Sequence, residues 1–449
     1  MSPLTPTRRQ FLGTSLLAAA PLLLPRRLWG QGTAPNERLT LGMIGMGTMM
    51  RGHIGSYLPR EDVQIVAVCD VDTTRREAAK KRIDDAYSDQ AGSTYKGCAS
   101  YNDFRELLAR KDIDAVVIAT PDHWHAYIAI AAVRAGKDVY CEKPLTYSIH
   151  EAVELVKEAR KANRVFQTGS QQRSSKEFRV AAELVRNGVI GRPIAVNVSF
   201  GDPATPYDKP AEPMEPGLDW QRWCGPGPLV NYNPYLSPRG VHTNFPHWRN
   251  TWEFGGGMIT DWGAHHIDIA QWGLDKDGSG PVEIRAPQNW ETAKRGAQLV
   301  YANGVVLTHV RGKGVSFYGS EGEVHVNRGK FEFILDGKTV HKFWDKEVDK
   351  TTSLDREVVL TGREFLADAK VKLYDSKNHI QDFLDAVKSR QRPIADVAIG
   401  ASTVIACHLM NFAYHHGANA KWNPAKNKFV SGGNAKWLKR ERYTKGWEV

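Results

Sequence analysis

The sequence predicts an α/β protein: an N-terminal doubly wound parallel sheet, then a C-terminal α+β domain with a large, mainly antiparallel open sheet. Three observations carry this expectation. Short apolar runs alternate with helical patterns up to about Gly169, a glycine turn joins the first run to the first helix, and from Val282 strand-like runs are separated by glycine turns. At 449 residues, with 41% hydrophobic and 24% charged, the chain has the length for two domains and the composition of an ordinary globular protein.

The first thirty residues precede the fold. Thr7-Arg8-Arg9-Gln10-Phe11-Leu12 leads into the apolar run Leu16 to Leu24, a charged region followed by a short hydrophobic one. That run falls short of the ~20 apolar residues a bilayer span requires, so residues 1–33 are expected to be an export signal. The paired arginines followed by Phe-Leu resemble a twin-arginine signal, which makes the export machinery a partner and the periplasm, or another exported location, the destination. Such a route carries folded proteins and suits a chain that captures a nucleotide before export.

Leu39 to Pro59 reads as an apolar run, a glycine turn and a helix-like segment. Further strand-like runs follow at Gln64 to Asp70, Asp114 to Thr120, Asp138 to Glu142 and Val165 to Thr168. Helical patterns fall at Asp103 to Arg110, His125 to Ala135 and His150 to Ala162. Alternation of this kind implies a parallel sheet covered on both faces, and sets the first domain at residues 38–169. After Gly191-Arg192-Pro193 the texture becomes strand-like at Ile194 to Phe200. A Pro/Gly/Trp-rich excursion then runs from Gly201 to Trp252, a length that marks a lid or a binding surface. Strands are expected from Val282 to Phe343, with Asn303-Gly304 as a hairpin signal. Helices at Asn378 to Lys388 and Val397 to His415 close a second domain at 170–418. A basic tail, 419–449, follows, and the open sheet is expected to support a homo-oligomer.

The formal charge of +10 resides in the leader and the tail, leaving the body near neutral. With no basic face and no readout element, nucleic acid is not an expected partner. Five scattered cysteines form no C-x-x-C pair, which argues against a zinc knuckle or a disulfide framework; Cys69 and Cys141 end apolar runs and read as small core residues.

Gly45-x-Gly47-x-x-Met50-x-Gly52 follows a strand and opens a helix, the context a Rossmann dinucleotide fingerprint requires. Gly45 allows the tight turn and Gly47 the approach of a pyrophosphate, so Gly45, Met46, Gly47, Thr48 and Met49 are candidate cofactor contacts. Met50 replaces the usual third glycine. Asp70, ending the second strand, is placed to accept from a ribose 2′-OH and favours NAD, while Arg75 and Arg76 leave NADP open. Thr120-Pro121-Asp122-His123-Trp124-His125 and Glu142-Lys143-Pro144 stand at strand ends, where such sheets bind ligands. In Asp261-Trp262-Gly263-Ala264-His265-His266-Ile267-Asp268 a carboxylate and an imidazole share one helix face, with Asp268 a further turn along. Gly255-Gly256-Gly257 leads into it, and Trp248, Trp252, Trp262 and Trp272 stand nearby. These tryptophans are read equally as core and as platforms for sugar faces. Histidines 242, 247 and 266 beside Asp261 and His265 raise the idea of a metal, but nothing in the spacing shows convergence.

In this order and spacing the motifs resemble the glucose-fructose oxidoreductase / inositol dehydrogenase (Gfo/Idh/MocA) family, from about Arg38 to about Gly417. The resemblance implies that Lys143, Asp261 and His265 flank a reacting carbinol. It further implies Thr120, Pro121, His125, Glu142 and Lys143 against the cofactor, and Gln171, Arg173, His247, Trp248 and Arg249 with Asp261 and His265 against the substrate. No metal is implied, and the NAD is expected to be tightly held. The function it implies is oxidation of a hydroxyl on a sugar, polyol or glycoside, with Lys143 and His265 removing the proton and Asp261 orienting the imidazole. Two other readings stand beside it: an NAD-dependent glycosidase working by transient ring oxidation, elimination, hydration and re-reduction, and a non-catalytic sugar-binding protein. The excursion departs from the simplest sugar dehydrogenases and leaves the sugar open.

Overall fold

Six strands, β1 (Leu39–Ile44), β2 (Val63–Cys69), β3 (Ala99–Tyr101), β4 (Ala115–Ile118), β5 (Asp138–Cys141) and β6 (Phe166–Thr168), form an all-parallel sheet of order β3-β2-β1-β4-β5-β6. Strands β4 and β5 are buried along their whole length, which is why they read as unbroken apolar runs. The half-buried β3 carries no such run and is not marked by the sequence. The computed structural model describes residues 38–439 and Trp447, so the expected export signal at 1–33 lies outside the described residues.

The second sheet has ten strands: β7 (Pro193–Ser199), β8 (Glu283–Arg285), β9 (Gln298–Val300), β10 (Val306–Val310), β11 (Val315–Gly319), β12 (Gly322–Asn327), β13 (Lys330–Leu335), β14 (Lys338–Phe343), β15 (Ala420–Asn423) and β16 (Lys428–Ser431). Their order is β14-β13-β12-β11-β7-β10-β9-β8-β15-β16, antiparallel throughout except between β7 and β10. The expected fold class is therefore the observed one. Helices Lys176–Arg186, Gly263–Gly273 and Leu354–Phe365 pack on this sheet.

Two boundaries read from chain order need correction. The stretch taken as a basic tail supplies β15 and β16 at the sheet edge, and Trp422 and Trp437 are buried there, so at least 420–439 belongs to the fold. Nor does the second domain keep all of 170–418. Helix His379–Ser389 returns to the first sheet, burying Phe383, Leu384 and Val387 in one cluster with Leu41, Met43 and Tyr140. Each such large side chain contributes about 1.5–3 kcal/mol to holding this helix against the first sheet. Helix Val397–His416 is long and apolar enough to cross a membrane, but it lies between the domains and spends that surface on helices Ile149–Lys161 and Gly263–Gly273.

The excursion builds its own small core from Leu218, Trp220, Trp223, Tyr232, Leu236, Trp248 and Phe254, with Trp220 and Trp223 stacked at 4.6 Å between centroids. All five cysteines are buried and free.

Candidate active site

The C-terminal ends of β1, β2, β4 and β5 open into a cleft of about 890 Å³, within the range of small-molecule sites. Gly45 turns the chain at φ +90°, and a Cβ there would stand 2.8 Å from the Ala119 carbonyl, so the turn admits no side chain. Nothing lies within 4 Å of the place a Gly47 Cβ would occupy, and helix Thr48–Tyr57 begins there with no side-chain cap. Its free N–H groups make an anion site. The Thr120 hydroxyl is buried without a partner at the same cleft. Asp70 faces it too, its carboxylate accepting from the Met46 and Asp72 amides at 2.6 and 2.8 Å. These residues fit a dinucleotide. Met46 is a correction within the expected set: its side chain is buried in the core and its N–H is taken by Asp70, so it supports the turn from behind.

Gly45, Gly47, Thr48, Met49, Asp70, Thr120, Pro121, His125, Glu142 and Lys143 all line the cleft. His125 is buried with its ring nitrogens against the carbonyls of Pro144 and Thr120, at 2.7 and 3.0 Å, and ties the two strand-end motifs together. Glu142 accepts from Gln171 at 2.9 Å and stands 2.9 Å from His53 Nε2. Burial alone would raise its carboxyl; the His53 contact and the nearby Lys143 hold it below the ordinary range.

At the far end the two domains meet. Lys143 Nζ donates to Asp261 Oδ1 at 2.7 Å and to the Asp261 carbonyl at 3.2 Å. Arg249 Nε lies 3.7 Å from the same carboxylate oxygen. Burial pushes the Asp261 carboxyl up, and Lys143 and Arg249 overrule it and keep it ionised. Asp261 ends the short helix Met258–Asp261, while His265 belongs to helix Gly263–Gly273, joined through Trp262. Gly257, at φ +71°, lets the first of these press against the excursion, where a Cβ would come within 2.2 Å of the Ala204 amide.

The expected orientation of the imidazole by Asp261 is not what the geometry shows. His265 Nε2 faces Arg328 Nη2 at 2.9 Å, and its Nδ1 is buried without a partner. A guanidinium has no acceptor, so Nε2 carries the lone pair and Nδ1 the proton. Burial first, then Lys143 and Arg328, drive the His265 pKa well below its ordinary value, so the ring is neutral. Asp261 serves the Lys143 ammonium instead.

Of the expected substrate contacts, Gln171, His247, Trp248 and Arg249 line the cleft. His247 is exposed and stacks on Tyr235 at 4.5 Å. Arg173 does not reach it. Fully buried, it forms a two-pronged pair with Asp268 at 2.8 and 2.9 Å, reaches Asp277 at 2.6 Å, and lies over Trp272. Removing one partner from such a buried pair costs about 3–5 kcal/mol, so these are framework residues, Asp268 included. His266, bonded to the Ser199 carbonyl, also turns away. Among the described residues no three His, Cys, Asp or Glu side chains gather in a metal-binding group. The tryptophans divide: Trp220 and Trp252 are core, whereas Trp223, Trp248 and Trp262 line the cleft, Trp262 being 36% exposed with Arg328 over its ring. Arg328 and His53 were not marked by the sequence.

The excursion lies over the nucleotide end. Thr48 Oγ1 donates to the Asn244 carbonyl at 2.9 Å, Arg51 donates to the His242 carbonyl, and Arg75 donates to the carbonyls of Pro238 and Gly240. Arg76 is engaged by the Asp70 carbonyl at 2.9 Å and Asn102 at 3.1 Å.

Residues 39–170 match the Gfo/Idh/MocA profile described as oxidoreductase family, NAD-binding Rossmann fold, and residues 175–314 match that family's C-terminal alpha/beta domain. The chain is 30% identical over 230 residues, 48% of its length and 49% of the relative's, to a glycosyl hydrolase family 109 protein of Stenotrophomonas maltophilia. It is 29% identical over 170 residues, 37% of its length and 47% of the relative's, to the myo-inositol 2-dehydrogenase of Thermotoga maritima. It thus spans about half the length of the curated relatives it matches. Among solved structures it resembles aldose-aldose oxidoreductase from Caulobacter crescentus, with TM-score 0.56 and 16% identity over 86% of this chain and 99% of that one. Levoglucosan dehydrogenase in complex with NADH gives TM-score 0.56 and 17% identity over 85% of this chain and 98% of that one. At these identities the likeness is one of fold.

Proposed function

Since the chain belongs to the Gfo/Idh/MocA oxidoreductase family and carries its NAD-binding Rossmann domain, we propose that it oxidises a hydroxyl of a sugar, polyol or glycoside by hydride transfer. The observation that carries this reading is the meeting of Lys143, Asp261 and His265 at the end of the nucleotide cleft. NAD supplies the hydride acceptor when bound. Lys143, held by Asp261, donates to the carbinol oxygen and fixes its position. The neutral His265 offers its Nε2 lone pair to the hydroxyl proton once Arg328 gives way. The purified protein is expected to hold NAD, identified by absorbance and mass, and to reduce or cycle it when a panel of sugars and glycosides is added. Neither nucleotide nor turnover would favour the non-catalytic reading.

A second reading, the redox-neutral NAD-dependent glycosidase, is favoured by the excursion bonded across the nucleotide end. A cofactor retained there is best used by a reaction that restores it, and one relative is named for glycoside hydrolysis. We also propose twin-arginine export from Arg8-Arg9. Lysine at both positions should hold the precursor in the cytoplasm, and continued export would exclude the twin-arginine route.

A further inference from the structure

The reacting end of the cleft holds more positive charge than the proton relay uses. Lys143, Arg249 and Arg328 line it, against Asp261 and Glu142. Asp261 is taken by Lys143, with Arg249 more distant, and Glu142 is turned to His53 and Gln171. Among the described residues no carboxylate forms an ion pair with Arg328.

Arg328 is nonetheless held as a built feature. It sits in the turn between β12 and β13, its guanidinium 4.8 Å from the Trp262 ring centroid. One edge is fixed, with Nη2 2.9 Å from His265 Nε2 and Nε 3.2 Å from the Gln172 side-chain oxygen in its satisfied orientation. Stacking sets the plane of the fork, and the side chain is exposed where it lines the cleft. Arg249 repeats the arrangement beside Asp261, its guanidinium 4.4 Å from the Trp248 ring centroid. Two tryptophan-backed guanidiniums thus bracket the Asp261 and His265 pair. A planar fork without an acid partner matches a carboxylate, which it binds by two parallel hydrogen bonds. Arg328 is exposed at the cleft mouth, so beside a neutral sugar its outer N–H groups meet only water, the imidazole and the amide.

We propose that the substrate is an acidic sugar, a hexuronic acid or its glycoside, and that Arg328 reads its carboxylate with Arg249 assisting. This rests on the sugar-oxidising reading above. The same contact couples recognition to chemistry, because a carboxylate is the stronger acceptor. A bound uronide draws Nη2 away from His265 and leaves the Nε2 lone pair for the carbinol proton.

The test uses the nucleotide-loaded protein and matched pairs: methyl glucoside with methyl glucuronide, methyl galactoside with methyl galacturonide, and the corresponding 6-sulfates. The uronide is expected to exceed its neutral partner by about 10-fold or more in kcat/KM and in binding, the usual worth of a charge-assisted contact. That ratio should fall toward one in Arg328→Ala, and Arg328→Lys should recover only part of it. Retained nucleotide checks the fold of each variant. Equal use of acidic and neutral sugars, or failure to bind uronides, overturns the proposal while leaving hydride transfer to neutral sugars standing. Preference for the sulfate overturns the carboxylate assignment. Arg328-dependent uronide binding with no oxidation of any sugar would support the acidic site and remove the hydride-transfer reading instead.

Discussion

Lys143 Nζ and Asp261 Oδ1 stand 2.7 Å apart across 118 positions of sequence, and the pair joins the nucleotide-binding domain to the second domain at the reacting end of the cleft. Asp261 therefore fixes an ammonium, and the neutral His265 beside it is the residue that can take a proton. Lys143→Ala and His265→Ala are each expected to lower turnover about 10²-fold or more while nucleotide stays bound. Asp261→Asn keeps the shape but leaves Lys143 without its anion, so it should depress kcat more than KM. Steady-state rates with nucleotide content measured on the same samples check this; undiminished turnover by Lys143→Ala would remove the relay.

NAD is expected to be preferred over NADP. The Asp70 carboxylate faces the cleft and would repel a 2′-phosphate, and the two arginines near it, the candidates for accepting one, are occupied. Arg75 is spent on Pro238, Gly240 and Asp72, and Arg76 on the Asp70 carbonyl and Asn102. Asp70→Ser should narrow the preference, read as the ratio of dissociation constants for the two nucleotides. NADP found in the starting protein would show that Arg75 or Arg76 outweighs Asp70.

The excursion is expected to slow nucleotide release. Its carbonyls at 238, 240, 242 and 244 accept from Arg75, Arg51 and Thr48, which stand on the nucleotide-binding side. Arg75→Ala removes two of these contacts at once, and net hydrogen-bond contributions of about 1 kcal/mol each amount to roughly a 10-fold or greater gain in off-rate. Gel filtration followed by nucleotide assay measures it. Unchanged retention would mean that the fingerprint turn alone holds the cofactor.

Much of this was legible in the chain, for local reasons. Strands β4 and β5 are buried on both faces and so read as apolar runs, and Gly45, Lys143, Asp261 and His265 stand in motifs whose spacing is their signal. Arg328 was not legible, because Asn327-Arg328-Gly329 looks like any hairpin turn until sheet register carries it over Trp262. Arg173 misled for the opposite reason: it follows a strand end as a ligand-binding residue would, and its acid partners arrive 95 and 104 positions later. The edge strands β15 and β16 passed as a tail because each is only four residues long, too short for its alternation to stand out among the surrounding lysines.

Acid should destabilise the fold well before carboxylates protonate. Burial drives His123, His266 and His379 down to about 4 and His309 to about 3, from an ordinary value of 6.5. Below pH 6.5 the unfolded chain binds protons that these buried rings refuse, so stability falls as pH falls through that window and is unaffected above it. Each ring contributes a slope of about 1.4 kcal/mol per pH unit while the difference lasts. Thermal unfolding is expected to show a roughly constant Tm above pH 7 and a steep decline from pH 6 toward pH 4. A Tm unchanged over that range would mean that the buried histidines are charged in the folded state.

Solvent deuterium separates the two enzymatic readings. Both begin with the same act, loss of the carbinol proton to His265 with Lys143 on the oxygen, and they diverge at the ketone. In simple oxidation the ketosugar leaves, one equivalent of reduced cofactor accumulates, and no C–H bond beside the carbonyl is exchanged. In the glycosidase the ketone acidifies the neighbouring C–H, that proton is lost, the glycosidic group is eliminated, water adds, and hydride returns to the original carbon. Free sugar carrying deuterium beside the former ketone, with no net change in nucleotide absorbance, is then the expected product. The excursion bonded across the nucleotide end favours this second course, since a cofactor held there would have to be restored in place. Stoichiometric reduced nucleotide with an unlabelled ketosugar would instead assign the cleft to net oxidation, and Lys143→Ala should slow formation of whichever product the native protein makes by the same factor of about 10² or more.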